Sequence, residues 1–365
     1  MKIYISAETY PTPKDPSTAF VSVLCRELAA QGHEITVIAP QSIVLCLRNR
    51  LRLAPRHYCD KIHVNGEERL INVYRPYTLF HGFGRAARLT KIGHEFAVRR
   101  TARKLPPPDI CYAHFWTSAF SILKYSKQNS IPLFVASGED RIFFQNFLST
   151  NELKDLRDYT SGVICVSSKN LEESIACGFT TRDKCGVFPN AVDSNIFFHR
   201  NRKEIRKQLG FPEDAFIVAF TGRFYRRKGV DRLSAAITKL NNENINSVFI
   251  GTTNPGEDLR PNCKGILFMG TLPHDEVALY LCASDVFVLP SLAEGCSNSI
   301  VEALSCGLPV ISSDLPFNYD ILDKKNSILI DPNNEDEIAE AINTLFNDHI
   351  LCQRMSDCAL DSSVW

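Results

Sequence analysis

Two glutamates lie on either side of a predicted helix start in the stretch SLAEGCSNSIVEALSCGLPVIS, residues 291–312. Ser297, Asn298 and Ser299 are residue types that commonly cap helix N-termini, and Gly307 is the type that ends a helix. Apolar runs precede and follow this helix, DVFVLP on one side and PVIS on the other. The stretch therefore predicts a strand, a loop, a short helix and a second strand.

The two glutamates of this unit are placed to bind a ligand. Glu294 falls in the loop at the carboxyl end of a strand, where open α/β sheets bind ligands, and Glu302 falls about one turn into the helix. Amides at a helix start suit an anion, and a carboxylate suits hydroxyl groups. Phosphate and sugar together fit this chemistry. The other interpretation, that Glu302 is a surface helix residue and Glu294 a solvated loop acid, stays open.

A second cluster lies in FTGRFYRRKGVDRL. Arg223 comes just after a predicted strand and Lys228 just before a predicted helix, while Gly222 and Gly229 permit close approach of a ligand. Two cations at a helix start can hold a diphosphate, the lysine as a point charge and the arginine as a fork.

The remaining residues of this region carry weaker signals. We expect Arg226 and Arg227 to be solvated, as is usual in a charge-rich loop. Neither GxGxxG nor GxxxxGK[ST] is present. The turn from Gly270 to Pro273 can offer backbone groups to a nucleobase, although structural turns are far commoner.

The pattern of elements predicts the fold class. A chain of 365 residues exceeds what one core usually serves, so two domains are expected. Continuous apolar strands alternate with helices in both halves, which is typical of parallel sheets covered on both faces. The pattern loosens at VFPNAVDSNIFF. We predict two facing Rossmann-like α/β domains, residues 1–190 and 191–365, with a crevice between them.

Charge and composition restrict the class of protein further. Residues 1–200 carry 26 basic and 18 acidic side chains, and residues 201–365 carry 15 and 23, so the net charges are +8 and −8. The thirteen cysteines are odd in number and form no CxxC pair, which indicates core residues in a reducing compartment rather than disulfides. No signal peptide and no transmembrane run are visible.

Read in order, these segments resemble the family 4 retaining glycosyltransferases of the GT-B fold. The likeness rests on QGHEITVIAP, VFPNAVDSNIF, GRFYRRKG, FMGTLPHDEVALYLCASDVFVLPS and EGCSNSIVEALSCGLPVISSD, which span nearly the whole chain. Within the family, the last segment and its continuation LPFNYDIL are most like bacterial enzymes that build capsule, O-antigen or exopolysaccharide.

The resemblance implies a role for each matching residue. Arg223 and Lys228 would hold the donor diphosphate, Glu302 the ribose hydroxyls, and Glu294 the transferred sugar. His114, at the end of a strand in the first domain, would complete the catalytic group, although a structural histidine is the alternative. The remaining expected substrate contacts are Gly222, Thr271, Leu272, Gly295, Cys296, Ser297, Asn298 and Ser299.

Three places differ from the family pattern. The loop after the first strand reads PKDPSTAF, without glycine. The loop after IPLFV reads ASGED where a histidine is common, so Ser137, Glu139 or Asp140 is expected near the reaction centre, with Glu8 as a further acceptor contact. The chain ends at SSVW, where relatives continue with a helix that crosses back, which suggests a truncated terminus.

The implied activity is transfer of a sugar, with retention, from a nucleotide sugar to a glycan or lipid-linked acceptor. The family pattern implies no cofactor and no metal ion, because Arg223 and Lys228 replace the metal, and no nucleic-acid partner. A cytoplasmic enzyme, peripheral on the membrane, is expected. The alternatives are a catalytically impaired binding or regulatory subunit, a nucleotide-sugar epimerase, and a phosphorylase that would need pyridoxal phosphate.

A basic segment indicates how such an enzyme would reach a membrane. Residues 47–104 carry 14 basic against 4 acidic side chains, a density that indicates a polyanion or an anionic membrane surface as partner, and the part from 77 to 104 adds apolar residues. This mixture is typical of a peripheral membrane anchor, although a solvated basic face is the alternative. The residues of the predicted anchor are Phe80, Phe83, Leu89, Phe96, Arg85, Arg88, Lys91, Arg99, Arg100, Arg103 and Lys104.

Overall fold

The chain forms two compact units in a computed structural model that describes residues 1–11, 19–48, 50–64, 67–79, 87–253 and 259–362. The first unit comprises 1–166 and 170–188, and the second comprises 167–169 and 189–365. The loop PKDPSTAF, up to residue 18, and the expected anchor residues Phe80, Phe83 and Arg85 lie outside the described residues.

An eight-stranded sheet forms the centre of the first unit, with the order β10-β9-β8-β7-β1-β2-β5-β4. Its pairs are parallel except for β4 with β5, and β3 and β6 form a separate parallel pair. The strands are β1 (Lys2–Ser6), β2 (Glu34–Ile38), β3 (Gln41–Ser42), β4 (His57–Val64), β5 (Glu67–Tyr74), β6 (Tyr77–Thr78), β7 (Ile110–His114), β8 (Leu133–Ser137), β9 (Thr160–Cys165) and β10 (Cys185–Val187).

Helices cover this sheet and enclose two clusters of buried apolar side chains, one around Trp116 and Leu133 and the other around Ile5 and Ile35. Capping fixes some of their ends: Ser149 and Glu152 form a capping box at the start of α5. The helices are α1 (Ala19–Ala30), α2 (Ile43–Arg48), α3 (Ala87–Ala102), α4 (Trp116–Gln128), α5 (Thr150–Tyr159) and α6 (Ser168–Ala176), with short 3-10 turns at Phe144–Phe147 and Arg182–Lys184.

A six-stranded parallel sheet, with the order β13-β12-β11-β14-β15-β16, forms the centre of the second unit. Its strands are β11 (Phe216–Thr221), β12 (Ile245–Ile250), β13 (Ile266–Gly270), β14 (Val286–Leu289), β15 (Val310–Ser313) and β16 (Ser327–Ile330). Its helices are α7 (Arg202–Leu209), α8 (Val230–Leu240), α9 (His274–Cys282), α10 (Asn298–Ser305), α11 (Glu335–Asn347) and α12 (His349–Ser362), and a 3-10 turn covers Arg226–Lys228.

The predicted fold class is confirmed, because each unit is a Rossmann-like domain with a parallel sheet. Every residue of β11 and β14 is buried, as continuous apolar runs require when helices cover both faces of a sheet. The antiparallel pair β4 and β5 was not predicted. All thirteen cysteines are free, eight of them buried and Cys59 exposed. Among the described helices, none is long and apolar enough to span a membrane.

Gly229 links the start of α8 to the loop that follows β14. Its φ is +76°, and a Cβ atom there would lie 2.4 Å from the Pro290 carbonyl oxygen and 2.7 Å from Arg232 Nη2. Arg232 Nη2 donates to that carbonyl over 2.8 Å, and its Nη1 donates to the Arg226 carbonyl over 3.0 Å. A side chain at position 229 would therefore separate the two loops that carry Lys228 and Glu294.

We expect Gly229→Ala to lower the free energy of unfolding more than Gly210→Ala does. Gly210 has a similar φ of +70° but open space around its Cβ position, so its substitution costs only backbone strain, about 1 to 2 kcal/mol. At Gly229 the steric overlap adds about 1 to 3 kcal/mol. Urea unfolding of both variants measures the difference, and equal losses would show that the overlap with Pro290 is relieved without cost.

Candidate active site

The loop after β11 carries the two predicted diphosphate ligands. Gly222 follows the strand with a φ of +152°, and Arg223 comes next with an exposed side chain. Within the part of the chain that the structure describes, Arg223 forms no ion pair. Lys228 ends the 3-10 turn just before α8, as the sequence predicted. Both cations are thus placed at the carboxyl edge of the sheet, one of them with its charge in solvent.

Lys228 and Glu294 form a close ion pair across this edge. Lys228 Nζ lies 2.6 Å from Glu294 Oε1, and the Glu294 residue is only 7% exposed. A buried carboxylate requires a partner of opposite charge, because the cost of removing it from water exceeds what weak contacts return. The structure therefore excludes the interpretation of Glu294 as a solvated loop acid.

Arg227 holds the same loop, so the expectation that it would be solvated is wrong. Its Nη1 donates to the Ala293 carbonyl over 2.6 Å, and its Nη2 donates to the Tyr225 hydroxyl over 2.8 Å. Arg227 Nη1 also lies 3.8 Å from Glu294 Oε2, so two cations face this one carboxylate. Arg226, in contrast, is exposed as expected. The excess of positive charge suits an anionic ligand.

The N-terminus of α10 presents polar groups without a side-chain cap. Ser297 is the N-cap residue but makes no capping bond, contrary to expectation, and its hydroxyl instead lies 3.1 Å from the Ser299 hydroxyl. Among the described residues, no acceptor receives the amides of Asn298 and Ser299. Gly295 and Cys296 are buried directly before this turn. Two backbone donors are therefore available to a ligand.

Asn190 supports this turn and was not identified from the sequence. Its Nδ2 donates to the Asn298 Oδ1 over 2.7 Å and to the Cys296 carbonyl over 3.2 Å. The asparagine lies more than a hundred residues earlier in the chain, and no local pattern marks it as a partner of α10. Its position in the segment VFPNAVD, which carries the family resemblance, was the available signal.

Glu302 lies on α10 and is paired with His274, a residue that the sequence reasoning missed. His274 Nε2 is 3.0 Å from Glu302 Oε1; the carboxylate side chain is 12% exposed and the imidazole side chain 62% exposed. Hydrogen bonding to Glu302 raises the pKa of His274 above its usual value. His274 follows directly on the turn that was predicted to bind a base, where Thr271 is exposed and Leu272 half-buried. The interpretation of Glu302 as a solvated surface residue is therefore wrong.

In the first unit, His114 lies at the end of β7 in an aromatic environment. Its ring centroid is 4.7 Å from that of Phe20 and 4.4 Å from that of Phe115. His114 Nδ1 is buried and has no hydrogen-bond partner among the described residues, and burial lowers the pKa of His114 to about 4. The imidazole is therefore neutral at physiological pH. Phe115 has a φ of +74°, a strained conformation of the kind that clusters at functional sites.

Glu139 lies just after β8, the strand that pairs with the end of β7 at His114, and it caps the N-terminus of α4. Its Oε1 accepts from the Trp116 amide over 2.9 Å, and its Oε2 accepts from the Gly138 amide and the Ser137 hydroxyl, each over 3.0 Å. Burial raises the pKa of Glu139 to about 7, although these donors oppose the shift. A half-buried carboxyl at the carboxyl edge of the sheet thus titrates close to neutral pH.

The other expected first-domain residues have different environments. Ser137 is completely buried, so its hydroxyl serves Glu139 and Ser174 rather than an exposed surface. Glu8 follows β1 and accepts a hydrogen bond from the Thr117 hydroxyl. Asp140 is exposed. No cluster of three or more His, Cys, Asp or Glu suited to a metal ion occurs within the described ranges.

Comparison with known sequences identifies the class of protein. The family profile described as "Glycosyl transferases group 1" matches residues 201–360, and the profile described as "Glycosyltransferase Family 4" matches residues 18–196. The chain is 29% identical to the putative teichuronic acid biosynthesis glycosyltransferase TuaC of Bacillus subtilis, over 98% of this chain and 92% of that protein. It is also 29% identical, over 54% of each chain, to the UDP-Gal:alpha-D-GlcNAc-diphosphoundecaprenol alpha-1,3-galactosyltransferase of Escherichia coli.

Solved structures share the fold of the whole chain. Sucrose-phosphate synthase from Thermosynechococcus elongatus superimposes with a TM-score of 0.76 at 18% identity, over 100% of this chain and 94% of that one. Anabaena Alr3699/HepE in complex with UDP-glucose superimposes with a TM-score of 0.72 at 19% identity and the same coverage. The fold and the two adjacent family matches define a glycosyltransferase of the GT-B type. The chain thus matches glycosyltransferase family 4 over its first half and glycosyl transferases group 1 over its second, consistent with a family 4 enzyme of the GT-B fold.

Proposed function

We propose that the protein transfers a sugar, with retention of anomeric configuration, from a nucleoside diphosphate sugar to a hydroxyl of a lipid-linked glycan in the synthesis of a bacterial surface polysaccharide. One observation carries the donor part of this proposal. Lys228, the uncapped N-terminus of α10, and the paired carboxylates Glu294 and Glu302 all belong to the carboxyl edge of one parallel sheet or to the helix that follows it.

The diphosphate of the donor binds Arg223 and Lys228. The Lys228 ammonium has three N–H donors, so it can keep its bond to Glu294 and still donate to a phosphate oxygen. The exposed guanidinium of Arg223 adds a bidentate donor. The structures of the similar HepE protein contain UDP and UDP-glucose, which supports a donor of this chemical class here.

The same groups assist departure of the leaving group. Negative charge grows on the diphosphate as the glycosidic bond breaks, and fixed cations together with the amides of Asn298 and Ser299 stabilise it. Arg223 and Lys228 supply the positive charge that a divalent ion provides in other transferases. The proposed reaction therefore needs neither a metal ion nor an organic cofactor.

The two glutamates divide the donor between them. Glu302 accepts from the ribose hydroxyls and Glu294 contacts the transferred sugar, while the backbone at Thr271 and Leu272 faces the base. Burial of Glu294 beside Lys228 supports its place near the phosphate end of the donor. Exposure of Thr271 supports an accessible turn at the other end.

The acceptor binds the first unit. His114 ends β7, and Glu8 and Glu139 lie just after β1 and β8. These three strands are neighbours in the sheet, so their carboxyl ends meet at one edge. His114 is neutral and Glu139 titrates near neutral pH, so both can exchange hydrogen bonds with sugar hydroxyls. The name of the similar Escherichia coli protein includes a sugar linked to diphosphoundecaprenol, and that of the similar Bacillus subtilis protein refers to teichuronic acid biosynthesis. Both names support a lipid-linked glycan as the acceptor proposed here.

The exposed face of α3 supports contact with an anionic membrane. Leu89, Ile92 and Phe96 are 51%, 58% and 54% exposed on successive turns. Basic side chains flank this apolar stripe, whereas the acid Glu95 is buried and paired with Lys124. A groove of about 560 Å³ lies beside the helix. Two of its lining residues, Lys91 and Glu152, form an ion pair with each other, so we assign the groove no substrate. The described basic residues here are Arg88, Arg99, Arg100, Arg103 and Lys104.

Glu302→Ala and Glu294→Gln should have different effects on kinetics. Glu302 binds ribose equally in ground and transition states, so its loss should weaken binding of the free nucleoside diphosphate. Glu294 responds to the sugar as the bond breaks, so its loss should mainly lower kcat. Each effect should be roughly ten- to a hundredfold, the size of a hydrogen bond to a charged group.

Calorimetry with UDP, GDP, ADP and dTDP, followed by turnover with the matching sugar donor, measures both effects. The control is Glu276→Ala, an exposed glutamate on α9, which should change neither. Equal weakening of nucleotide binding by both active-site variants would contradict the division. Intact nucleotide binding without any turnover of the native protein would favour a catalytically impaired binding subunit.

EDTA should leave turnover essentially unchanged, because the proposed charge on the leaving group is balanced by Arg223 and Lys228. The assay compares initial rates in metal-free buffer with and without added Mg²⁺ or Mn²⁺. Activity that disappears with EDTA and returns on titration of either ion would count against the proposed clamp.

Flotation with liposomes should show binding to anionic vesicles and little binding to neutral ones. Each basic residue near such a surface contributes about 1 kcal/mol, so Arg100→Gln together with Arg103→Gln should weaken binding roughly ten- to thirtyfold. The matched control is Lys203→Gln with Lys207→Gln, two exposed cations of α7, which should bind as the native protein does. Equal binding of the native protein to both kinds of vesicle would contradict the proposed contact between α3 and an anionic membrane.

A further inference from the structure

The carboxylate proposed to bind ribose already has a partner in the free protein. His274 Nε2 lies 3.0 Å from Glu302 Oε1 and links the first residue of α9 to the body of α10. The Glu302 side chain is 12% exposed, whereas that of His274 is 62% exposed. The imidazole therefore lies on the solvent side of a mostly buried carboxylate.

His274 can move away without disturbing the core. Besides Glu302, its described ring contact is the edge of Phe197, with centroids 4.9 Å apart. An exposed side chain at the first position of a helix can change rotamer at little cost, because no neighbouring turn confines it. Glu302 is fixed by comparison, since its helix packs against β14, β15 and α12 and its residues Ile300, Val301, Ala303 and Leu304 are buried.

A ribose and His274 compete for the same oxygen atoms. The 2′ and 3′ hydroxyls of a nucleotide are both donors, and they engage a carboxylate best when both of its oxygens are accessible. With Oε1 bonded to the imidazole, little accessible surface of Glu302 is left. A ligand that uses both oxygens therefore competes with the imidazole at Oε1.

We propose that His274 is a displaceable partner of Glu302 that sets the affinity for the donor. Ribose hydroxyls replace the imidazole on binding, and protonation of His274 weakens nucleotide binding. This inference rests on the proposed function, because it needs Glu302 to be the ribose ligand. It adds a residue that determines affinity for the donor, and it makes that affinity depend on pH.

The charges around His274 define the sign of the pH dependence. Three acids face it: Glu302 from α10, Asp193 from the segment after β10, and Asp275 from α9. The hydrogen bond to Glu302 contributes most to raising the pKa of His274, and the two aspartates add to it. Displacement removes the largest of these contributions, so the pKa falls and a proton is released. Nucleotide binding should therefore weaken as pH decreases through the raised pKa.

The first experiment measures the affinity of UDP, or of whichever nucleoside diphosphate binds best, between pH 6 and 8.5 by calorimetry. The native protein should lose about two- to fivefold in affinity at the low end, the size expected for an ion pair with one exposed partner. His274→Asn should bind the nucleotide more tightly than the native protein at low pH, and its affinity should not show this loss of about two- to fivefold. His349→Asn, which removes another exposed histidine of the same unit, should behave as the native protein does.

Titration of the nucleotide's own phosphate affects all three proteins equally, so the difference between them isolates His274.

The second experiment counts protons by calorimetry in buffers of different ionisation enthalpy. The native protein should release a proton with UDP and not with 2′,3′-dideoxy-UDP, because only the ribonucleotide can replace the imidazole.

Identical pH profiles for native protein and His274→Asn, or equal proton release with both nucleotides, would overturn this inference and leave the proposed function intact. Failure of every nucleoside diphosphate to bind the native protein would overturn the proposed function and the inference together.

Discussion

The ion pair between Lys228 and Glu294 is the constraint from which the rest of the second unit's edge follows. A carboxylate that is 7% exposed is stable only beside a cation, and Lys228 Nζ is 2.6 Å away. That pairing requires the loops after β11 and β14 to touch. Gly229 permits the approach because its φ of +76° and the nearby Pro290 carbonyl leave no space for a side chain. Arg227 and Arg232 then satisfy the carbonyls that the approach buries. The cost of burying one charge thus determines the conformation of both loops.

Sequence periodicity predicted most of the parallel strands and their order, because continuous apolar strands such as FIVAFT and VFVL leave few other arrangements, but it did not predict the antiparallel pair of β4 with β5. It also placed Lys228, Glu294 and Glu302 at strand ends and a helix start. The side-chain contacts that these residues and their loops make could not be predicted from periodicity. His274 meets Glu302 across 28 positions, Arg227 meets Ala293 across 66, and Asn190 meets Asn298 across 108. Such contacts depend on the tertiary approach of loops, for which local spacing holds no signal, and so Arg227 was misjudged and His274 and Asn190 were missed.

The first unit shows a different relation between pattern and outcome. Composition revealed the basic segment, but the orientation of α3 depends on which face the core accepts. His94, Ala97 and Val98 are buried, which leaves Leu89, Ile92 and Phe96 outward. Packing among the described residues of this unit does not explain why the helix exposes its bulkier apolar side chains beside arginines. Likewise, the strained φ of Phe115 is enforced by the turn from β7 into α4, where Glu139 binds the first amide of the helix. A sequence pattern does not reveal such strain.

Net charge alone would direct an anionic donor to the basic half of the chain, yet the proposed diphosphate ligands lie in residues 201–365, whose net charge is −8. Distance resolves this contrast. At physiological salt, charges on a protein surface are screened within about 8 Å, so scattered acids contribute little at the edge of the sheet. Close cations and amides contribute much more, because they act at contact distance where burial lowers the local dielectric response. The only described acid in contact with Lys228 is Glu294, whose charge the lysine already balances. The net positive charge that a diphosphate would meet is therefore that of Arg223, Arg227 and the N-terminus of α10, while Lys228, balanced by Glu294, still offers it N–H donors. The acidic surface of the unit affects the rate of approach more than the strength of binding.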